Sequence, residues 1–207
     1  MSRLRIAPVV EGDEEFACVR ILLERIWHEM LGGEFVGVVK PIRQPRGRLV
    51  KQEGLHRAVR LAIKNLSELP EPNDPTMVLI LIDADEDCPG EWGPKLLDIA
   101  REVDSRMDMA CVLAKFEYET WFAAAAESLD HYLDLPPGFV ASESPEEAGH
   151  AKAWVERYFR GVKYTEPRDQ PAMTSAMDLG LCRRRSPSFD KLCRELERRL
   201  RRVERNG

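Results

Sequence analysis

The chain lacks the cysteine pattern of a zinc module or a disulfide framework. Its five cysteines, at positions 18, 88, 111, 182 and 193, form no C-x-x-C pair, and their number is odd. The four histidines have no metal-ligand spacing either. We therefore expect reduced cysteines, with Cys18 and Cys111 acting as small core residues because both stand in apolar patterns.

Long hydrophobic runs are also missing. The most apolar stretch, TMVLILI at residues 76–82, is far shorter than the ~20 residues that span a bilayer. The short apolar run near the N-terminus is followed at once by acids, which is unlike a signal peptide. There is no internal repeat or low-complexity tract. These absences predict a cytoplasmic protein without a membrane partner.

An overall excess of positive charge is absent as well, since the net charge is −5. The charge is unevenly spread: residues 180–207 contain ten Arg or Lys against four Asp or Glu, which leaves −11 for the rest. A salt-bridged terminal helix is the commoner explanation of such a segment, and an interaction tail is the alternative. With 43% hydrophobic residues, the chain can build one substantial core or a core with a small appendage.

What is present is a regular alternation of apolar segments and amphipathic segments. The predicted strands are 4–10, 34–42, 76–82 and 109–115, and the predicted helices between them are 14–31, 54–68 and 94–106. Strands that are separated by helices need crossover connections, so the fold class is α/β with a four-stranded, mainly parallel sheet flanked by helices.

The second part of the chain is predicted to be helical. Helices are expected at 118–128, 147–160 and 188–204, with an exposed loop before the second of them. This division gives an α/β core at 1–127 and a helical C-terminal extension at 128–207 that packs on the core.

Acidic residues follow two of the predicted strands. Glu11 comes directly after the first strand, with Glu15 one helical turn further on, and Asp83 and Asp85 come directly after the third strand. Ligands of open parallel sheets bind beyond the carboxyl ends of the strands. If the two strands are neighbours, these carboxylates converge, and such a cluster needs a cation such as Mg²⁺ or Mn²⁺.

Simpler interpretations of the same acids stay open. Acids favour the first turn of a helix because they complement its dipole, which is sufficient for Asp13 and Glu14. The segment DADED could be a plain acidic turn. A calcium loop is excluded, because its sixth position would be Cys88 rather than Gly and its twelfth would be Pro94 rather than Glu.

The combined motifs resemble a known fold. A strand, the segment VEGDEE and a helix, followed about 70 residues later by a strand and DADED, resemble the Toprim fold over residues 4–115. That Rossmann-like fold occurs in topoisomerases, bacterial primases, small RNA-maturation nucleases and the OLD-type nucleases. The segments VLAKFEYETWFAA and RRRSPSFDKL look like domain-of-unknown-function family 4276, whose members are Toprim-like and often encoded near an AAA-type ATPase in apparent defence islands.

The resemblance implies roles for individual residues. Glu11 matches the Toprim glutamate, a metal ligand or general acid/base, and Asp83 and Asp85 match the metal-binding aspartate pair. Glu15 matches the second glutamate that OLD-type nucleases use for metal. Glu119 matches an acid of the closer family and is a candidate ligand for a second ion, with an N-terminal helix acid as the alternative.

Cationic residues are candidates for contacts with a phosphate backbone. Lys115, after the fourth predicted strand, could stabilise a transition-state phosphate, or it could be a solvated lysine at a strand end. The predicted nucleic-acid contacts come from the loop after the second strand and from the basic C-terminal segment, namely Arg43, Arg46, Arg48, Lys51, Arg183, Arg184 and Arg185. The alternatives are a mobile charged loop and ion pairs with the acidic body or a partner.

The resemblance therefore implies a function, with two competitors. The chain lacks the tyrosine-bearing partner domain of a topoisomerase and the zinc module of a primase, so the expected activity is metal-dependent hydrolysis of DNA or RNA, with a partner ATPase in a defence or repair system. The alternatives are a non-catalytic Toprim subunit that docks an AAA ATPase and a metal-dependent enzyme acting on a small phosphorylated substrate.

Overall fold

The sheet is five-stranded, and the strand pairings within it are parallel. The computed structural model describes residues 4–70 and 74–206, with the side chains of 13–15 and 206 outside that description. The strands are β1 (Leu4–Val10), β2 (Val36–Val38), β3 (Ile42–Arg43), β4 (Thr76–Asp83) and β5 (Met109–Ala114). Their order is β2-β1-β4-β5, with β3 also paired to β1. The α/β class and the parallel sheet are confirmed.

The second predicted strand is interrupted. β2 pairs with the first half of β1 and β3 with its end, so five strands fill four positions. Pro41 lies in the gap and has no N–H to donate. Pro8 of β1 faces the same gap, because the carbonyl groups of Ile6 and Val10 on either side of it accept hydrogen bonds from the β2–β3 side. The N–H that Pro8 lacks therefore has no strand residue opposite it at this point.

Helices cover both faces of the sheet. The helices are α1 (Asp13–Arg25, continuing as a π-helical turn Ile26–Met30), α2 (Arg46–Leu49), α3 (Gln52–Ser67), α4 (Pro89–Arg101), α5 (Glu119–Ala124), α6 (Ala151–Tyr158), α7 (Glu166–Ala176), α8 (Leu179–Arg185) and α9 (Pro187–Asn206). α2, α3 and α4 pack on one face, and α1, α5, α7, α8 and α9 pack on the other.

Side-chain alternation along β4 divides the core. Met77, Leu79 and Leu81 point to the α1 face, whereas Val78 and Ile80 point to the α3 face. Both sets are buried, which is why TMVLILI shows no polar alternation. Along the described residues, no helix is long and apolar enough to cross a membrane.

The first helix ends where the glycines predict. Gly32 has φ +71°, in the left-handed region that favours glycine. Gly33 lies against the indole of Trp27, where a Cβ would come within 2.3 Å of Nε1. The helix predicted at 94–106 is displaced, because α4 begins at Pro89, whose fixed φ also suits a first turn.

Sequence periodicity does not predict α7 or α8. α7 buries Asp169, Gln170, Met173 and Thr174, a helical stripe that is mostly polar. Its hydrogen bonds replace apolar contacts: Gln170 Oε1 accepts from Cys18 Sγ at 3.3 Å. Arg25 of α1 donates to the carbonyl oxygen of Thr174 at 2.8 Å. Because the buried face of α7 is mostly polar, its sequence shows no hydrophobic periodicity from which a helix could be predicted.

Candidate functional site

Glu11 and Asp83 lie at the carboxyl ends of neighbouring strands. The last β1–β4 pair is Val10 with Leu81, so Glu11 comes one residue, and Asp83 two residues, beyond the same pair. With strands about 4.8 Å apart and a rise of about 3.3 Å per residue, their Cα atoms are within about 8 Å. Oε2 of Glu11 is buried. By alternation, Asp83 projects toward the face covered by α1, the helix that contains Glu15.

Asp85 lies in a backbone conformation that is uncommon outside glycine. Its φ is +48°, and Phe116, with φ +61°, forms an isolated bridge with it. The N–H of Asp85 donates to the Phe116 carbonyl at 2.8 Å. Aspartate adopts the left-handed region more readily than phenylalanine does. Strained residues of this kind gather at functional sites, and this pair joins the loops after β4 and β5.

Arg46 holds the loop that contains Asp85. Its Nε donates to the Asp83 carbonyl at 3.1 Å and lies 3.3 Å from Asp85 Oδ2. Its Nη2 lies 2.5 Å from Asp87 Oδ2. Arg46, predicted to contact phosphate, is therefore engaged with two carboxylates of the loop, and one of them belongs to the predicted metal-binding pair.

Lys115 follows β5 at the same sheet edge. Its Nζ donates to the Asp87 carbonyl at 3.2 Å and lies 3.9 Å from the centroid of the Phe116 ring. A cation over an aromatic face is attracted by the ring quadrupole. Lys115 is thus a positive charge beside the loop after β4.

Glu119, at the start of α5, is almost fully buried, with 2% of its surface exposed. Its Oε1 accepts hydrogen bonds from the Tyr164 hydroxyl at 2.9 Å and from Gln170 Nε2 at 3.5 Å. Burial raises the pKa of Glu119 to about 7, and the hydrogen bond from Tyr164 opposes that rise. Tyr164 and Gln170 were missed by sequence reasoning, because nothing in their segment indicates that it folds over residue 119.

The carboxylates do not form a ready-made metal centre among the described side chains. Across residues 4–70 and 74–206, no group of three or more His, Cys, Asp or Glu is arranged to hold an ion. Glu11 and Asp83 have the oxygen donors that Mg²⁺ prefers and lie on adjacent strands. Asp85 faces Arg46 instead, and the side chain of Glu15 is outside the described residues.

A basic pocket lies after β3, next to the segment that carries Arg46. It has a volume of about 310 Å³ and includes Arg48, Lys51 and Arg57 together with the start of α3. Arg43 of β3 is exposed nearby in the chain. Arg57 was not among the predicted residues. It follows Lys51 by six residues and lies in the first turns of a predicted helix, and this position could have identified it.

The C-terminal arginines differ in their surroundings. Arg183 pairs with Asp190 at 2.9 Å and Glu197 at 3.1 Å. Arg185 is mostly buried and lies 2.8 Å from Glu127 and 3.4 Å from Glu143. Arg184 is exposed. The basic segment is therefore neutralised largely within the molecule.

Comparison with known proteins places the chain in a family. Neither the curated proteins nor the solved structures contain a match. A family model described as a domain of unknown function, DUF4276, matches residues 10–197. The match includes Glu11, both loop aspartates, Lys115 and Glu119, and it covers most of the chain. The protein is therefore a member of the DUF4276 family.

Proposed function

We propose that this protein is a Toprim-type nuclease that hydrolyses phosphodiester bonds of DNA or RNA with the help of Mg²⁺ or Mn²⁺. The observation that supports the proposal most is the position of Glu11 and Asp83 just beyond the same residue pair of adjacent parallel strands. Two acids at that position suit a cation and a reacting phosphate, since ligands of such sheets bind at the carboxyl ends of the strands.

Glu11 and Asp83 would hold the ion, and Asp85 would join them by exchanging its ion pair with Arg46. When bound, the ion supplies an activated water and neutralises charge on the phosphate. Asp85 is 61% exposed and its pair with Arg46 is 3.3 Å long, so the exchange breaks a partly solvated contact. Glu119 is left out of the ligand set, because Tyr164 and Gln170 already donate to it.

The cations of the site would serve the substrate. Arg48, Lys51 and Arg57 around the basic pocket would contact phosphates of a nucleic-acid strand, and these contacts would make binding sensitive to salt. Lys115, beside Asp87, would attract the phosphate nearest the acids. The AAA-type ATPase that the resemblance to family 4276 implies belongs to the same proposal, as the partner that would deliver the nucleic acid.

Substitution of the proposed ligands tests the activity. We expect Glu11→Gln and Asp83→Asn each to lower Mg²⁺- or Mn²⁺-dependent cleavage of DNA or RNA by about 100-fold or more, because a lost ligand has a larger effect than a lost outer partner. The matched control is Glu86→Gln in the same loop, an exposed acid that we expect to retain cleavage. The proposal fails if the protein, with and without its partner ATPase, cleaves neither nucleic acid.

A second candidate is a non-catalytic subunit that docks the ATPase. It is favoured by one observation, namely that Arg46 already neutralises Asp85 and Asp87. Thermal unfolding distinguishes the two. A metal site raises the melting temperature when Mn²⁺ is added and loses that effect in Asp83→Asn. A docking subunit gives no such shift and retains its partner after the substitution.

A further inference from the structure

β5 is an edge strand with a groove along its outer side. It pairs with β4 on one side, and the Ala114 carbonyl accepts from the Ala84 N–H across that pair. Alternate residues of a strand direct their backbone groups to opposite sides. The N–H and C=O of Cys111 and Leu113 therefore point away from β4, toward the sheet edge.

The two ends of this edge are covered by α9. The Lys115 N–H donates to Ser188 Oγ at 3.3 Å. At the other end, the Met109 carbonyl accepts from Arg199 Nη2 at 3.2 Å. Between them, the described part of the chain provides no hydrogen-bond partner for the outward backbone groups of Cys111 and Leu113. Four backbone groups, two donors and two acceptors, thus line the middle of the edge.

The middle of the edge opens into a groove of about 580 Å³ between α4 and the first turns of α9. The size lies within the range of sites that bind a ligand. Gly93 of α4 borders the groove at the Cys111 carbonyl oxygen, since a Cβ there would lie 3.8 Å from that oxygen, an ordinary van der Waals contact. Its apolar walls include Pro94, Leu97 and Pro187.

The charge around the groove is positive, although the molecule as a whole is acidic. Four cations line it against two acids, Asp98 and Glu146. Glu146 already accepts from Ser188 N at 2.8 Å and is turned to the protein. Arg194, 61% exposed, lies on the α9 side and pairs with Asp190 at 2.9 Å, a partly solvated pair that a carboxylate of an occupant can exchange. An occupant with carboxylates toward α9 would therefore match the groove in charge.

We propose that this groove binds an extended acidic segment of a partner protein, which adds to the sheet as a strand beside β5. The backbone of the segment pairs with the outward groups of Cys111 and Leu113, and alternate side chains enter the space beside Gly93 and Leu97. Main-chain hydrogen bonds supply affinity in this mode of recognition, and the side-chain pockets supply specificity. The groove shares Lys115 with the proposed nuclease site, whereas the backbone pairing at Cys111 and Leu113 does not involve that site.

Amide hydrogen exchange of the full-length protein tests the proposal. The probe is a capped peptide of eight residues in which valine and aspartate alternate, and the comparison peptide has lysine in place of aspartate. We expect the acidic peptide to slow exchange of the Cys111 and Leu113 amides by about tenfold or more, since they become hydrogen-bonded. The basic peptide should have no such effect, and added salt should weaken the effect of the acidic one.

Two variant pairs connect the result to the groove. Gly93→Leu should abolish the protection by filling the space at the Cys111 carbonyl, whereas Gly93→Ala adds only an ordinary contact and should retain it. Arg194→Glu should weaken binding, whereas Arg205→Glu, further along α9, should not. Absence of protection at millimolar peptide would overturn the proposal. The proposal would also be overturned if the Cys111 and Leu113 amides were protected without peptide in a dimeric sample. The occupant of the groove would then be a second copy of this chain.

Discussion

At the residue scale, the pKa of the Glu119 carboxyl group depends strongly on its surroundings. In the unfolded chain its carboxyl group has an ordinary pKa near 4.5, and burial raises the pKa to about 7 in the folded protein. The folded state therefore holds the proton more tightly. The stabilisation that protonated Glu119 contributes is fully present below pH 4.5 and is lost as the pH rises from 4.5 to 7. The reason is that the carboxyl group ionises first in the unfolded chain.

Glu119→Gln makes this pH dependence measurable. We expect the free energy of unfolding of the variant, relative to wild type, to rise by roughly 3 kcal/mol between pH 4 and pH 8, because glutamine fills the same space without ionising. Urea denaturation at the two pH values measures the change. The control is Glu156→Gln on the exposed face of α6. Equal pH dependence of the two variants would contradict the assignment.

At the scale of an element, the buried cation Arg199 adds polar contacts between α9 and the sheet to the apolar packing of that helix. Arg199 is 1% exposed, lies 2.5 Å from Asp108 and 2.6 Å from Glu195, and donates to the Met109 carbonyl. These contacts fix the middle of α9 against the start of β5. Removing one partner of a buried pair usually costs more than the pair contributes, because the remaining charge loses its compensation.

Arg199→Ala should therefore destabilise the protein by about 3 kcal/mol. The matched control is Arg202→Ala, since Arg202 pairs with the same Asp108 at 3.4 Å but is 54% exposed. An exposed pair of that kind contributes at most about 1 kcal/mol. Chemical denaturation of both variants checks the difference, and similar losses would show that burial of Arg199 is unimportant.

At the scale of the whole molecule, the C-terminal helices complete the core. Phe189 and Leu196 of α9, with Met173 of α7, belong to the same buried cluster as Leu79 and the α1 side chains. Trp121 and Phe189 are in edge-to-face contact, with centroids 5.2 Å apart. One face of the sheet thus depends on residues from both parts of the chain.

A fragment of residues 1–127 should therefore fail to fold independently. It retains the sheet but exposes the apolar face that α7, α8 and α9 cover. We expect binding of the dye ANS and no cooperative thermal transition, whereas the full chain should unfold in one transition by near- and far-ultraviolet circular dichroism. A cooperative transition in the fragment would mean that the α/β half is an independent domain.

The amino-acid sequence alone predicts where the buried strands lie and which acids follow them, although not the break between β2 and β3. The segments IAPVV at 6–10 and MVLILI at 77–82 are apolar without alternation, the pattern expected of short strands that are buried on both faces. Because the carboxyl ends of parallel strands lie at one edge of the sheet, the sequence predicts that Glu11 and Asp83 are near each other. Trp121, Phe122 and Phe189 are large aromatic residues of a type that is commonly buried, and all three are buried.

Which charged side chains meet depends on tertiary packing. Arg46 and Asp85 are distant in sequence, as are Glu119 and Tyr164, and no local pattern records such partners. The polar stripe of α7 hid that helix for the same reason, because its hydrogen bonds go to α1 and α5. The open edge of β5 is likewise a property of strand order. Local sequence sets backbone periodicity and burial, whereas contacts between distant residues exist only once the layers have packed.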